Sequence, residues 1–204
     1  EEAEAIEEDI ASRPGRDDRS RRGTEKDVAQ AYNQHWLAPP TKLADGVYLL
    51  GGASHNSVAV EFKDYSAVVE APLDEKRNLA VIEEVVKLIP NKPIRFVVNT
   101  HQHHDHAGGL RAYMHIGATI ITHSTNFGFY TRDVLNYAPR TLQPDMLSLW
   151  PPTELAEGYQ YETVRENYVL SDGTRNMHVY YVNPLRHVEG MLMAYLPKEK
   201  IIIE

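Results

Sequence analysis

The feature that most constrains this chain is a short apolar run, IRFVVN, which leads directly into the segment THQHHDHAGG. An apolar run of this length with β-branched residues is typical of a buried strand. The loop after it carries four candidate ligands, His101, His103, Asp105 and His106, and a Gly-Gly pair follows them. The segment therefore predicts a polar site at the end of a strand, next to the start of a helix.

Strands and helices alternate on both sides of this run, which favours an α/β fold. Upstream, GVYLL, SVAVEF and SAVVEA predict strands, and Asp74 is positioned to cap a helix with apolar residues at helical spacing. Downstream, GGLRAYMHIG predicts a helix that ends at Gly117, and ATIITH predicts a strand. Further strands are predicted in YVL, MHVYYV, MLMAYL and IIIE. Residues 136–159 contain four prolines and no clean period, which predicts a long surface excursion that walls a site.

The ends of the chain differ in composition. Residues 1–40 are predicted to be a flexible or loosely packed extension, because an acidic run gives way to RPGRDDRSRRG with few apolar residues. A short helix is predicted from Glu25 to Leu37. Residues 41–204 are predicted to form one globular domain.

Composition limits the partners and the location. The net charge of −8 argues against a nucleic-acid or anionic membrane surface, and no apolar run approaches the roughly 20 residues that span a bilayer. We therefore expect a small-molecule substrate rather than a nucleic acid or a membrane. The acidic start is not a secretory signal, but the chain begins with Glu1, so a soluble protein in the cytoplasm, or in the periplasm or outside the cell after signal removal, stays open.

The histidine-rich loop predicts a metal site. The chain has no cysteine, so any metal must be held by nitrogen and oxygen. His101 and His103 meet one ion if the loop curls around it, and a third protein ligand must come from elsewhere. His187, in the loop NPLRHVEG between two predicted strands, is our candidate. Asp105 and His106 are then left to face a second ion or to act on a metal-bound water. The alternative is a polar loop in a histidine-rich protein, but the density and spacing of ligands favour metal binding.

The segment THQHHDHAGGL resembles the Thr-His-x-His-x-Asp-His-x-Gly-Gly motif, or HxHxDH motif, of the metallo-β-lactamase fold superfamily of metallohydrolases. The resemblance runs from about Leu43 to the end of the chain. It implies a four-layered αββα sandwich with the metal site at the edge where two sheets meet. It also implies that His101, His103 and His187 hold a first metal, and that Asp105 and His106 belong to a second.

The sequence differs from the family pattern at its C-terminal end. In the family, the strand that corresponds to KIIIE is followed by an aspartate that bridges both metals and later by a histidine, whereas this sequence stops at Glu204. The αββα sandwich is therefore expected to be incomplete in its second half, and Glu204 falls just short of the bridging position. There are three alternatives. The sequence is a fragment, an oligomer partner or another segment completes the site, or the site holds a single metal at reduced affinity.

The resemblance implies a zinc-dependent metallohydrolase. A metal-bound hydroxide would attack a carbonyl-type substrate, a lactam, lactone, ester or thioester, with Asp105 as the catalytic residue that positions the hydroxide. One or two zinc ions are expected, and iron or manganese also accept such ligands. The superfamily is chemically diverse, so the fold alone does not choose a substrate. The alternatives are a non-catalytic metal-binding or interaction domain with an incomplete active site, and a metal-storage or metal-sensing protein.

The remaining polar and aromatic residues are expected to act indirectly. We expect His55 and His123 to support the site without direct ligation and Glu70 to orient a ligand histidine. His104 is expected to face solvent. Ordinary roles are expected for a further set of histidines and packing roles for a set of aromatic residues: His35, His115 and His178; Trp150, Tyr159 and Tyr161.

Overall fold

A computed structural model describes residues 37–52, 54–150 and 159–204 of the chain. These residues form a seven-stranded sheet and a four-stranded sheet. The strands, in chain order, are β1 (Thr41–Ala44), β2 (Val47–Leu50), β3 (Ser57–Glu61), β4 (Ser66–Val69), β5 (Ile94–Val98), β6 (Thr119–His123), β7 (Tyr161–Val164), β8 (Asn167–Ser171), β9 (Asn176–Tyr181), β10 (Leu192–Leu196) and β11 (Ile201–Ile203). The helical segments are α1 (Glu75–Leu88), α2 (His104–Ala107), α3 (Leu110–His115), a 3₁₀ turn (Ser124–Asn126), α4 (Phe127–Phe129), a π-helical turn (Tyr130–Val134) and α5 (Met146–Leu149).

The large sheet runs in sequence order from β1 to β7. Its first four strands are antiparallel, and β4, β5, β6 and β7 are parallel neighbours. The predicted SVAVEF and SAVVEA pair is confirmed as β3 and β4. Because parallel strands need long crossovers, a helix follows β4 and another follows β5. The carboxyl ends of β4, β5 and β6 therefore meet at one edge of the sheet.

The helix after β4 has the local chemistry that its sequence predicts. Asp74 caps α1, because its Oδ1 accepts a hydrogen bond of 2.9 Å from the backbone amide of Arg77. One face of α1, with Val81 and Val85, is buried against the sheet. The helix α3 ends at His115, and the predicted Gly117 follows it in the turn with a φ of 77° that favours glycine.

Two apolar cores separate three layers of structure. One core lies between the helices and the large sheet and includes Val85, Val97 and Tyr113. The other lies between the two sheets and includes Val69 and Leu192. The α/β class and the packed sheets are confirmed, and the described residues provide a helical layer on the large sheet. A helical layer on the outer face of the small sheet, which the αββα prediction includes, is not found within these residues.

Some predictions concern parts of the chain that the structure does not describe. The predicted extension of residues 1–40 lies almost wholly outside the described residues, as does the helix from Glu25 and His35, and the division at residue 40 stays a prediction. The excursion at 136–159 is described up to Trp150, and there it contains the short helix α5. Within the described residues, no helix is both long enough and apolar enough to cross a bilayer.

Candidate metal centre

Three histidines from two distant parts of the chain meet at the edge of the two sheets. His101 lies in the loop after β5, His103 lies at the cap of α2, and His187 lies in the loop between β9 and β10. One ring nitrogen from each residue lies within 4.8 Å of those of the other two. The ring centroids are 4.8 Å apart for His101 and His103, 5.2 Å for His101 and His187, and 4.9 Å for His103 and His187. We call these three residues the first cluster.

The environment of His101 suits a metal ligand. Its side chain is buried, its Nδ1 lies 3.0 Å from Thr100 Oγ1, and its Nε2 has no hydrogen-bond partner among the described residues. Burial and the neighbouring histidines His106, His103 and His187 lower the pKa of His101 to about 4. The ring is therefore neutral at pH 7. When Nδ1 donates to Thr100, the lone pair of Nε2 is free to bind a metal.

A second cluster, formed by His55, Asp105 and His106, lies beside the first. One ligand atom from each of these residues lies within 4.8 Å of those of the other two. His55 Nε2 is 3.2 Å from Asp105 Oδ2, and the rings of His55 and His106 meet edge to face at 5.0 Å. The rings of His106 and His101 are 4.1 Å apart, so the two clusters are adjacent.

The charges in the second cluster suit a cation. Burial acts to raise the pKa of Asp105, but its own backbone amide and the nearby His106 and His55 outweigh this and lower the pKa below its usual value. The side chain of Asp105 is about half exposed, at 54%. The second cluster therefore presents an ionised oxygen ligand that a cation can approach from solvent.

Glu70 is a buried carboxylate that contacts His106 of the second cluster and the backbone next to His101 of the first. Its Oε2 lies 2.5 Å from His106 Nδ1, and its Oε1 accepts a hydrogen bond of 2.6 Å from the backbone amide of Thr100. The hydrogen bond to Glu70 raises the pKa of His106. Because Glu70 engages Nδ1, the Nε2 atom of His106 is left for a ligand. The predicted contact between Glu70 and a candidate ligand histidine is confirmed.

Backbone and side-chain hydrogen bonds join the two loops that carry the first cluster. The amide of Leu192, in β10, donates to the carbonyl of Thr100 at 2.8 Å and so connects the two sheets. Asn126 Nδ2 donates at 3.0 Å both to Gln102 Oε1 and to the carbonyl of Glu189. These contacts hold the loop of His187 against the loop of His101.

Close packing at Gly109 fixes the start of α3. A Cβ at this position would collide with the side-chain amide of Asn78, a buried residue of α1. The Gly-Gly pair therefore allows α1 and the motif loop to approach closely. It does not have the sequence context of a phosphate-binding loop.

A cavity of about 600 Å³ is lined in part by the motif loop. Its lining includes Gln102, His104, Arg140 and Asp145, but none of the six residues of the two clusters. The described part of the predicted excursion therefore contributes to the wall of this cavity. A smaller cavity of about 190 Å³ is lined by Asn56, Glu70 and Glu204, so the end of β11 lies near the buried Glu70.

The structure brings together all five residues that the sequence predicts as metal ligands, and that they bind a metal stays a prediction. It also brings in His55, which we expected to act only indirectly. His123 packs on Tyr181 at 4.0 Å and its Nε2 lies 3.0 Å from the Arg165 carbonyl, and its supporting role stays a prediction. His104 and Trp150 are exposed, whereas Tyr159 and Tyr161 pack against the helical core. His115 and His178 lie in neither cluster.

Comparisons with known proteins agree with this architecture. A metallo-β-lactamase from Pontibacter korlensis superimposes with a TM-score of 0.61 and 16% identity, and the match covers 82% of this chain and 70% of that one. The metallo-β-lactamase DIM-1 gives a TM-score of 0.57 at 17% identity, with 82% and 69% covered. A Cronobacter sakazakii (Enterobacter sakazakii) metallo-β-lactamase with a HARLDQ motif gives 0.59 at 18% identity, with 86% and 60% covered.

At these identities the superpositions show the fold alone. A search of curated proteins found no match. The model of the metallo-β-lactamase superfamily matches residues 50–181, which is more than half of the chain and includes five of the six residues of the two clusters. The chain belongs to the metallo-β-lactamase superfamily.

Proposed function

We propose that this chain is a zinc-dependent hydrolase of a carbonyl-type substrate. The observation that carries the proposal concerns the buried His101, which forms a cluster with His103 and His187. Its Nε2 has no hydrogen-bond partner in the part of the chain that the structure describes. A buried polar atom without a partner is costly unless a ligand satisfies it. Three imidazoles are a donor set that zinc accepts at a catalytic site with an open position.

The residues of this chain would divide the work as follows. His101, His103 and His187 would hold the first zinc, which when bound polarises a carbonyl and lowers the pKa of water. Asp105 is ionised at neutral pH, so its carboxylate would accept a hydrogen bond from the attacking water and then take up its proton. Glu70 keeps His106 in one orientation beside Asp105.

The class of substrate follows from access and chemistry. His187 and Asp105 are exposed, so a substrate can reach the first cluster from solvent. Lactams, lactones, esters and thioesters each have a carbonyl for water to attack. The relatives with the same fold are described as metallo-β-lactamases, which makes a lactam one member of the panel to test.

The test combines metal analysis with hydrolysis. Purified wild-type protein should retain zinc and hydrolyse at least one member of a panel of a lactam, a lactone, a thioester and an aryl ester. His101→Ala should weaken zinc retention by more than the roughly 10- to 100-fold that loss of an outer partner costs, and the activity should fall with it. His115→Ala removes a histidine outside both clusters and should keep zinc and activity.

The possible results separate the alternatives. Zinc retention without turnover of any panel member would favour a non-catalytic metal-binding domain. Full activity of His101→Ala without bound metal would refute the proposed function.

A further inference from the structure

We propose that His55 is a direct ligand of a second cation, which it binds together with Asp105 and His106. The proposal rests on the proposed function in that both place a cation in this loop region, but it concerns metal binding and not turnover. The loop between β2 and β3 carries His55, and that loop is about 50 residues away in sequence from the motif that carries Asp105. Its approach to the motif is therefore a tertiary feature of the fold.

The geometry gives His55 the reach of a ligand. Its Nε2 is the ring atom that lies 3.2 Å from Asp105 Oδ2, and its Nδ1 lies 2.8 Å from Ser54 Oγ. When Nδ1 donates to that hydroxyl, the lone pair of Nε2 is directed to the cluster. The same arrangement is found at His106, where Glu70 engages Nδ1. A partner on the outer nitrogen is the usual way in which proteins orient histidine ligands.

The buried guanidinium of Arg77 holds the loop of His55 in place. Arg77, in α1, is 0% exposed, and its Nη2 donates to the carbonyl of His55 at 2.6 Å. Burial lowers the pKa of this guanidinium, because the charged form loses hydration. Burial of a guanidinium costs free energy unless its N–H groups are hydrogen-bonded. The hydrogen bond from Arg77 therefore fixes the backbone position of His55.

The composition of the cluster favours a cation over a simple ion pair. Two imidazoles and one carboxylate offer three ligands, and the side chains of His55 and Asp105 are 24% and 54% exposed, so water can complete the coordination. If His55 served only to pair with Asp105, any hydrogen-bond donor at this position would serve as well. The two possibilities therefore make different predictions for a glutamine at position 55.

The test is a titration of metal-free protein with Co²⁺ and with Zn²⁺, followed by optical absorption and by elemental analysis after dialysis. Wild type should bind two equivalents. His55→Gln keeps a donor for Asp105 but removes the imidazole, and it should bind one equivalent with unchanged affinity and the second at least about tenfold more weakly. His115→Gln is the matched control and should bind two equivalents as wild type does.

The outcomes distinguish this proposal from the proposed function. Two equivalents bound with unchanged affinity by His55→Gln, or a single equivalent bound by wild type, would overturn the assignment of His55 and leave the first cluster intact. Failure of wild type to bind any cation would overturn both. If His55→Gln does not fold, paramagnetic NMR of wild type loaded with Co²⁺ gives the answer, since five shifted imidazole rings support the proposal and four refute it.

Discussion

Replacement of Glu70 by glutamine should weaken the binding of the second cation selectively. Glu70 is 3% exposed, and its two carboxylate oxygens have different partners. The amide oxygen of a glutamine can still accept the hydrogen bond from the amide of Thr100, so the backbone before His101 keeps its contact. The amide NH₂, however, would face His106 Nδ1, where the carboxylate oxygen lies at 2.5 Å. Two donors would then meet unless the ring proton moves to Nε2.

The size of the effect follows from that one lost contact. A hydrogen bond to a charged group contributes about 1.5–3 kcal/mol, and a proton on Nε2 would block the nitrogen that binds the cation. At about 1.4 kcal/mol for each factor of ten, the second equivalent should bind roughly 10- to 100-fold more weakly. The first equivalent should change much less, because its ligands keep their partners.

A competition titration against a fluorescent chelator, at fixed pH and ionic strength, measures both affinities. Glu70→Asp keeps the charge, and Glu83→Gln makes the same chemical change on the exposed face of α1, where Glu83 pairs with Lys87 at 2.8 Å. The reasoning is refuted if Glu70→Gln binds both cations as wild type does. An equal loss at both sites would instead show that Glu70 acts on the stability of the whole loop region.

Three further predictions concern residues outside the two clusters. Asp145→Ala removes the carboxylate that pairs with the buried Arg111 and caps α5, so the free energy of unfolding in urea should fall by about 3–5 kcal/mol; a loss below about 1 kcal/mol would contradict this. Burial acts to raise the pKa of Asp145, but hydrogen bonds from Arg111 and Ser148 lower it to about 2. The contribution of Asp145 to the free energy of unfolding is therefore present above about pH 4 and is lost as the pH falls towards 2. Asp145→Asn should lack this dependence of stability on pH. Asn126→Ala removes the two hydrogen bonds by which Asn126 joins the motif loop to the loop of His187. At about 1 kcal/mol per bond, the first cation should bind roughly 30-fold more weakly, and wild-type affinity would mean that these bonds do not position His187.

The interior strands of the large sheet could be predicted from the sequence, whereas its two edge strands could not. Buried strands such as β3 and β5 are rich in Val and Ile, because both faces of the large sheet are covered. The unpredicted strands β1 and β7 are the two edges of the large sheet, and their residues are mostly exposed or half-buried. An edge strand buries less apolar surface, so its sequence carries little of the pattern on which prediction depends. The helical turns near α4 were also missed, in a segment that contains Gly128, a poor helix former.

Candidate ligands that lie close together in the sequence could be predicted, whereas the direct contact of His55 with Asp105 could not. His101, His103, Asp105 and His106 share one loop, so a strand followed by dense ligands was enough to predict that they lie together. His187 was predicted from its place between two strands. His55 was expected to support the site, but the sequence did not indicate its contact with Asp105, because that contact depends on the buried Arg77 in α1 and on the position of that helix against the large sheet. A histidine in a Gly-rich loop has no period that would reveal this.

Glu70 links the two clusters, because it contacts the backbone next to His101 and the ring of His106. One of its oxygens holds the amide of Thr100, which precedes His101, and the other holds the ring of His106. Glu70 itself has a φ of 76°, a backbone conformation that a residue with a side chain rarely adopts. Its amide also donates to the carbonyl of Val98 at 2.8 Å, so the end of β4 is fixed to the end of β5. A strained residue persists where the surrounding contacts determine its position, and here those contacts are the ones that set the distance between His101 and His106.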